Sequence, residues 1–388
     1  MDTNSGLSKK LHEMTEKERR DLLEKKLNLN LENIKKSILN EKETDANIEN
    51  LIGSAQLPLG IAGPVKVNGE HAKGEFYLPL ATTEGALVAS VSRGCSVINK
   101  SAGAETVIIK NEQTRSILFK VKSVTEAKRF IQWIEKNFSR LKEAGEEGEK
   151  FLKILGIESY VVGLNVWLRI KADTSDAMGM NMITIAGKKI ADYISKNYEI
   201  EFISESGNLC VDKKPSAMNL INSRGKRVIA SVNIPEEVIE TILKTTADKL
   251  VDINYRKNLL GSAASGSLGY NAHFANIIAA MFIATGQDAA HVVDGSLGFT
   301  TVERNETGVN FSVTLSSLQV GTVGGGTGLK TQKEVLSIMG VAGSGNPAGT
   351  NSKKLAEIVA TAVLAGEISL LGALCSKDLS KAHQKLNR

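Results

Sequence analysis

The sequence predicts an α+β fold in which a smaller unit is inserted into a larger mixed unit of helices and strands, behind a small N-terminal helical cap. Three observations predict this. The first 47 residues are polar and rich in lysine and glutamate, and residues 105–205 alternate between strand and helix patterns. The remainder combines strands with Ala/Gly-rich helical segments at 259–285 and 350–372. At 388 residues, the chain is long enough for two or three domains.

The composition excludes several classes of protein. Hydrophobic residues make up 42%, charged residues 23% and aromatic residues 5%, which is typical of a soluble globular protein without the stacking platforms of nucleic-acid binders. No signal-peptide pattern opens the chain, and the apolar stretch at 276–286 is too short for a membrane span. The three cysteines are widely separated, which favours a reducing compartment. We therefore expect a cytoplasmic protein that binds neither nucleic acid nor membrane.

Residues 1–47 are predicted to form the N-terminal helical domain. Thr15 and Glu18 have the spacing of a capping box, in which each side chain bonds the other residue's backbone amide. This pair is expected to start one helix, and a second short helix is expected over 34–39.

The larger domain is predicted to consist of residues 48–110 and 206–388. Apolar and polar residues alternate over 72–80, as in a strand with one buried face. Thr83 is then expected to cap a helix that runs to about Lys100.

Residues 111–205 are predicted to form the inserted domain. A strand leads into a charged amphipathic helix over 124–145, and a long strand pattern follows over 158–172. A helix over about 176–198 and a short strand at 200–204 complete the unit. This order resembles a split β-α-β unit of the ferredoxin-like type.

Glycine is unusually frequent, with 35 residues, many of them in four short clusters. Such clusters mark turns or places where backbone approaches a ligand, so four of them indicate a large ligand or several ligands. The cluster GSGNPAG at 343–349 approaches the dinucleotide-binding pattern but follows no clear strand. HExxH and paired CxxC motifs are absent, so no metal site is expected.

Residues 212–219 read DKKPSAMN and place Lys213 and Lys214 side by side. Pro215 fits the first turn of a helix and disfavours helical angles in the residue before it. Both lysines are therefore expected on a loop that enters a helix. On their own, they are compatible with an ordinary solvated loop.

Other candidates also have ordinary structural interpretations when each is taken alone. Glu84 and Asp288 precede helical patterns, where a carboxylate caps the helix or interacts with its dipole. His383 stands near the C-terminus, where a histidine is usually idle. The stretch DAMGMNM at 176–182 is compatible with a methionine-rich core stripe.

Six stretches that occur in the same order nevertheless resemble the catalytic portion of the 3-hydroxy-3-methylglutaryl-CoA reductases. They are NIENLIGSAQLPLGIAGPV (47–65), TTEGALVAS (82–90), DAMGMNM (176–182), SGNLCVDKKPSAMN (206–219), GQDAA (286–290) and GTVGGGT (321–327). The similarity extends from about Glu49 to the C-terminus. It is greatest to the soluble, archaeal-type members of the class that includes the eukaryotic enzymes, so no membrane anchor is expected.

The resemblance implies an oxidoreductase that reduces 3-hydroxy-3-methylglutaryl-CoA to mevalonate and free CoA with two NADPH, a four-electron reaction that commits carbon to isoprenoid synthesis. Lys213 would stabilise the negative charge that each hydride attack places on a carbonyl oxygen. Glu84 would donate a proton to the aldehyde-level intermediate, and Asp288 would bridge Glu84 and Lys213. His383 would protonate the departing CoA thiolate.

The resemblance also assigns binding residues and domains. The inserted domain would bind NADP and the larger domain the substrate and CoA, in a homodimer or larger homo-oligomer. The implied cofactor contacts are Asp176, Met178, Gly179, Met180, Asn181, Gly321, Val323 and Gly324, with Lys150 and Arg388 as candidates for reading the 2′-phosphate. The implied substrate contacts are Arg115, Ser206, Asn208, Asp212, Lys214 and Lys257. The sequence around Lys150 departs from the family pattern, which leaves the choice of NADPH over NADH less firmly supported.

Two alternatives remain at this point. A non-catalytic CoA- or nucleotide-binding protein of the same fold would have lost at least one of the four catalytic residues, and all four are present. A CoA-dependent acyl transferase would need an activated cysteine or a His/Asp pair. The cysteines Cys95, Cys210 and Cys375 have no evident activating partner in the sequence.

Overall fold

The computed structural model describes residues 10–376. The strands are β1 (Leu59–Gly69), β2 (Lys73–Ala81), β3 (Ala104–Lys120), β4 (Lys153–Val162), β5 (Asn165–Asp173), β6 (Glu201–Ser204), β7 (Gly225–Pro235), β8 (Gly269–Tyr270), β9 (Gly298–Arg304) and β10 (Gly308–Leu318). The α-helices are α1 (Glu16–Leu27), α2 (Glu41–Thr44), α3 (Leu87–Lys100), α4 (Val124–Lys136), α5 (Phe138–Glu146), α6 (Met180–Asn197), α7 (Ala217–Asn222), α8 (Glu236–Val238), α9 (Ala247–Ile253), α10 (Ser262–Ala264), α11 (Phe274–Thr285), α12 (Val292–Gly295), α13 (Lys330–Ile338) and α14 (Thr350–Ser376).

The larger sheet has the strand order β2-β1-β3-β7-β10-β9-β8. Its neighbouring strands are antiparallel except for the β1–β3 and β8–β9 pairs, which are parallel. The helices α3, α11 and α14 pack on one face and close the main hydrophobic core against it. The mixed α+β class predicted from the sequence is therefore confirmed.

One helix of the described chain, α14, is long and apolar enough to cross a membrane by length and composition. However, 83% of its most apolar window is buried inside the protein, as expected for the central helix of a globular core. Its two buried glutamates accept backbone N–H bonds from loops packed against it, Glu357 from His71 and Ala72 and Glu367 from Ala272 and His273. The helix predicted over 350–372 is confirmed.

A second hydrophobic core lies in the inserted unit. The 17-residue strand β3 connects the two cores, because its first half pairs with β7 and its second half with β5 and β6. The smaller sheet has the order β4-β5-β3-β6, with α4, α5 and α6 packed on it. The domain boundaries at residues 47, 110 and 205 stay a prediction.

Several predicted elements differ from the observed ones. The strand pattern at 158–172 is a hairpin, because Gly163 turns the chain at a φ of +59°. The helix predicted over 124–145 is divided at Asn137 into α4 and α5. Instead of one long helix over 259–285, a π-helical segment (Asn254–Gly261) and the short strand β8 precede α11. Glycines between them interrupt the helical pattern.

The N-terminal segment confirms one prediction and contradicts another. The amide of Glu18 donates to Thr15 Oγ1 at 3.3 Å and that of Thr15 to Glu18 Oε2 at 2.8 Å, which completes the capping box. The helix predicted over 34–39 is wrong, since turns occupy this stretch and a short helix begins only at Glu41. Thr83 is not a cap either, because α3 begins at Leu87.

Candidate functional site

A cavity of about 900 Å³ lies where four segments meet. One side, here called the lysine wall, consists of Asp212, Lys213, Asp288 and His291. A second part of the lining, the glycine wall, consists of residues 177–182 at the start of α6 and of residues in the stretch 321–327. The two walls differ in composition, since one carries charged side chains and the other presents mainly backbone.

The lysine wall contains an ion pair at the cavity surface. Lys213 Nζ lies 2.7 Å from Asp288 Oδ2, and the two side chains are 42% and 36% exposed. Asp288 also caps the 3-10 turn Ala289–His291 by accepting the amide of Ala290. Burial would raise the pKa of Asp288, but the bond from Lys213, the charge of His291 and the amide of Ala290 together lower it below its ordinary value. The carboxylate is therefore held ionised beside the ammonium.

A buried charge network lies beneath this pair. Arg224 extends one nitrogen to Asp212 Oδ1 at 3.0 Å and another to Asp294 Oδ2 at 3.1 Å. Asp294 Oδ2 also accepts Gln319 Nε2 at 2.9 Å and lies 3.0 Å from His291 Nδ1. Asp212, one of the implied substrate contacts, lines the cavity, and its carboxylate pairs with the guanidinium of Arg224.

Sequence reasoning missed Arg224, His291, Asp294 and Gln319. One signal was present, because Asp288, His291 and Asp294 follow one another at intervals of three, which places side chains on one helical face. Oxygen and nitrogen atoms of Asp212, His291 and Asp294 lie within 4.8 Å of one another, as in a metal site. In the described chain, however, Arg224 already supplies the positive charge between the two carboxylates.

The glycine wall is held by Asp176, which the sequence interpretation had placed among the cofactor contacts. Its buried carboxylate accepts the amides of Gly345, Gly349 and Ser352 at 2.6–2.9 Å. Its carbonyl accepts the amide of Thr322 at 2.8 Å. Burial would raise the pKa of Asp176, but these backbone donors lower it. The residue does not line the cavity formed by the described residues, and the GSGNPAG loop surrounds this carboxylate.

The other predicted cofactor residues of this wall do line the cavity. They are Met178, Gly179, Met180, Asn181, Gly321, Val323 and Gly324. A Cβ on Gly321 would lie 2.4 Å from the backbone nitrogen of Met178, so only glycine allows the two segments to approach this closely. The helix α6 begins at the cavity, and none of the described side chains caps its first amides. Such a helix end is suited to an anionic ligand group.

The predicted substrate residues are not all at this cavity. Arg115 lines it, and its guanidinium donates to the carbonyl of Glu205 at 3.2 Å. Asn208 begins the loop of residues 208–214, here called the lysine loop, and Ser206 precedes it; neither lines the cavity as the described residues form it. Lys214 is exposed, and its ammonium lies 3.4 Å from the carbonyl oxygen of Asp212.

Three further predicted residues lie apart from the cavity of the described chain. Lys257 is in the π-helical segment, where burial lowers its pKa and the charge of Glu367 partly offsets this. Lys150 lies over the ring of Phe151, 5.4 Å from the centroid. Glu84 accepts a hydrogen bond from Asn276 Nδ2 at 3.2 Å. His383 and Arg388 lie outside the described residues.

An ion-paired lysine and an uncapped helix N-terminus line one cavity, an arrangement typical of an enzyme active site that binds anionic ligands. Residues 15–388 match the family model described as hydroxymethylglutaryl-coenzyme A reductase. The 3-hydroxy-3-methylglutaryl-coenzyme A reductase of Pyrococcus abyssi is 49% identical over 374 residues, which cover 95% of this chain and 92% of the relative. That of Methanocaldococcus jannaschii is 50% identical over 377 residues, with 95% and 92% covered.

The fold is also found among solved structures. A class II 3-hydroxy-3-methylglutaryl-CoA reductase from Streptococcus pneumoniae, bound to NADPH in open conformations, superposes with a TM-score of 0.70 at 20% identity. The similarity covers 96% of this chain and 89% of that structure. With the family model and the archaeal relatives, the chain belongs to the hydroxymethylglutaryl-coenzyme A reductase family. The resemblance found in the six sequence stretches is therefore confirmed.

Proposed function

We propose that the protein reduces 3-hydroxy-3-methylglutaryl-CoA to mevalonate and free CoA in the cytoplasm, consuming two NADPH and two protons. The observation that carries this proposal is the Lys213–Asp288 pair, which lines the same cavity as the glycine wall. A fixed ammonium beside the reacting carbonyl stabilises the oxyanion that each hydride attack produces. Asp288 orients that ammonium through the ion pair.

The reaction requires three proton or charge functions from the chain. In the first reduction, Lys213 stabilises the oxyanion formed at the thioester carbon. Collapse of that adduct breaks the carbon–sulfur bond, and His383 gives the departing thiolate its proton. In the second reduction, Lys213 stabilises the aldehyde-derived oxyanion, and Glu84 supplies the proton that completes the alcohol.

The glycine wall is the proposed cofactor site. Its residues 177–182 belong to the proposed inserted domain of residues 111–205, and its residues 321–327 come from the larger domain. NADPH supplies the hydride of each step when it is bound. The first amides of α6 would receive its pyrophosphate, and the backbone near Gly321 and Gly324 would lie against the nicotinamide end. The Streptococcus pneumoniae neighbour was solved with NADPH, which supports this assignment. Lys150 and Arg388 stay candidates for the 2′-phosphate, although Lys150 lies outside the cavity of the described chain.

A homodimer is the proposed working unit. Glu84, Ser206, Asn208 and Lys257 do not line the cavity that one described chain forms, as expected if a second subunit completes the site. The larger sheet also has exposed apolar side chains that a second subunit would bury, such as Ile109 on β3, which is 52% exposed. A non-catalytic binding protein of the same fold is the alternative, and it would bind NADPH without oxidising it.

The test of this function is the loss of absorbance at the reduced-nicotinamide band when the acyl-CoA is added. We expect oxidation of two NADPH for each free thiol released, with slower oxidation of NADH. NADPH that binds but is not oxidised in the presence of the acyl-CoA would support the non-catalytic alternative.

The role of His383 has its own test, because only the step that expels CoA requires a proton on sulfur. We expect His383→Gln to slow reduction of the acyl-CoA by about a hundred- to ten-thousandfold, the usual loss for a general acid. Reduction of supplied mevaldehyde should stay near the parent rate. Equal loss of both activities would contradict the assignment.

A further inference from the structure

The backbone of the lysine loop has a costly conformation. Between residues 208 and 213, three residues that are not glycine have left-handed angles: Asn208 at a φ of 63°, Val211 at 51° and Lys213 at 55°. Side chains disfavour this region, so it persists only where the surrounding contacts determine the backbone. Some fixed group must therefore hold Lys213 in place.

Asp294 provides such a group. It lies in the short helix α12 and is fully buried. Its Oδ2 atom receives the backbone amide of Lys213 at 3.3 Å, Arg224 Nη1 at 3.1 Å and Gln319 Nε2 at 2.9 Å. One oxygen thus connects the lysine loop with Gln319, which follows β10, and with Arg224, which precedes β7. The backbone amide of Lys213 therefore donates directly to the buried carboxylate of Asp294.

His291 makes a second connection between the same groups. Its Nδ1 lies 3.0 Å from Asp294 Oδ2, and its Nε2 lies 3.8 Å from both Asp288 and Asp212. The ring therefore stands between the carboxylate that holds the Lys213 backbone and the carboxylate that pairs with the Lys213 ammonium. The two carboxylates that contact Lys213 therefore lie on either side of one buried imidazole.

We propose that Asp294 is the positioning residue for Lys213: its carboxylate, neutralised by Arg224, holds the left-handed loop so that the ammonium meets both Asp288 and the reacting carbonyl. Asp294 itself does not touch the substrate. The catalytic part of this proposal rests on the proposed function, whereas the anchoring of the loop does not. Misplacing a catalytic group by about 1 Å typically costs on the order of a hundredfold in rate.

The test compares Asp294→Asn with Glu357→Gln in the full chain. Glu357 is an equally buried carboxylate that binds amides of the β1–β2 turn, away from the cavity. Asp294→Asn should lower kcat by about ten- to a hundredfold while the KM values for NADPH and acyl-CoA change by less than about threefold. Amide hydrogen exchange in a peptide spanning 206–216 should accelerate in this variant. The Glu357→Gln control should change neither quantity.

The two readouts separate the possible failures. Unchanged exchange at the loop would overturn the proposal, even if activity fell. Faster exchange with unchanged kcat would overturn the positioning role as well. If the unmodified protein oxidised no NADPH but Asp294→Asn still exchanged faster at the loop, the anchoring by Asp294 would be supported and the proposed function refuted.

A milder variant covers the case in which Asp294→Asn does not fold. Gln319→Met removes one donor to the carboxylate and leaves the pair with Arg224 intact. It should produce the same two changes, each smaller. Asp294→Glu keeps the carboxylate that Asp294→Asn removes. A kcat for Asp294→Glu between those of Asp294→Asn and the parent would distinguish positioning by the carboxylate from simple loss of packing.

Discussion

Each wall of the cavity is held by a buried aspartate, Asp294 for the lysine wall and Asp176 for the glycine wall, but the two carboxylates bind different kinds of donor. Around Asp294 the bonds come mostly from side chains, including Arg224 and Gln319, and they hold the backbone amide of Lys213. Around Asp176 they come mostly from backbone amides, and they fix the path of two chain segments. The lysine wall is therefore organised to place a charge, and the glycine wall to preserve a shape.

This difference determines which substitutions each wall tolerates. On the lysine wall, removal of a charge should reduce the rate of chemistry more than ligand binding, because the charge is needed most when the oxyanion forms. On the glycine wall, added volume should weaken cofactor binding with less effect on the chemistry. Kinetic constants measured separately for the two reactants can distinguish these outcomes.

The largest effect is expected for Lys213→Ala. Loss of the ammonium should reduce kcat by about a hundred- to a thousandfold, because one oxyanion donor is lost. Reduction of acyl-CoA and of mevaldehyde should both suffer, while the KM for NADPH changes little. Lys188→Ala is a matched control, since Lys188 on α6 is 44% exposed and also pairs with an aspartate. If Lys213→Ala kept nearly the parent turnover, Lys213 would have no catalytic role and the two lysines would belong to an ordinary solvated loop.

An intermediate effect is expected for Gly321→Ala. The new Cβ would lie 2.4 Å from the backbone nitrogen of Met178, and a contact between backbones is not relieved by side-chain rotation. We expect the KM for NADPH to rise by about ten- to a hundredfold, from an overpacking strain of about 1–3 kcal/mol. Gly328→Ala is the control, because its Cβ would meet no atom within 4 Å. If only the KM for acyl-CoA rose, the glycine wall would bind the acyl-CoA and not NADPH, which would contradict the assignment.

The smallest effect on activity is expected at Lys226, which lies behind the glycine wall. It is fully buried, donates to the carbonyl of Val320 at 3.4 Å, and has its pKa lowered by burial from 10.5 to about 8. Below pH 8 the charge is retained in both states and its burial destabilises the fold. As pH rises from about 8 to 10.5, only the folded state has lost the proton, so stability increases.

Lys226→Met keeps the volume and removes the buried charge. At pH 7 we expect its free energy of unfolding to exceed that of the parent, by on the order of 2 kcal/mol. Urea titrations at pH 7 and pH 10 measure the difference, which should shrink at the higher pH. A difference that grows with pH would show that Lys226 is stabilised by its surroundings.

The sequence was most informative where local chemistry determines the structure. Pro215 and the adjacent lysines predicted a loop that enters a helix, and α7 begins at Ala217. The capping box at Thr15 and the helix after residue 350 were also correct. In each case the signal lies within a few residues and does not depend on distant contacts.

The sequence was least informative where the structure depends on long-range contacts. Asp294 is 81 positions from Lys213, and no local pattern connects them. Asp176 was expected to touch the cofactor because it stands in DAMGMNM, but its carboxylate turns to the 343–352 loop, more than 160 positions away. Residues 259–285 mix alanine, which favours helix, with glycine, which favours turns, so composition alone did not locate the break before α11.

The central claim is that one cavity holds the two reactants against two different walls. A crystal structure of the protein with NADP⁺ and an unreactive analogue of the acyl-CoA tests it most directly. We predict the pyrophosphate at the first amides of α6 and the nicotinamide against residues 321–327, with the acyl carbonyl oxygen within hydrogen-bond distance of Lys213 Nζ. A nicotinamide bound elsewhere, or an acyl carbonyl remote from Lys213, would contradict the account.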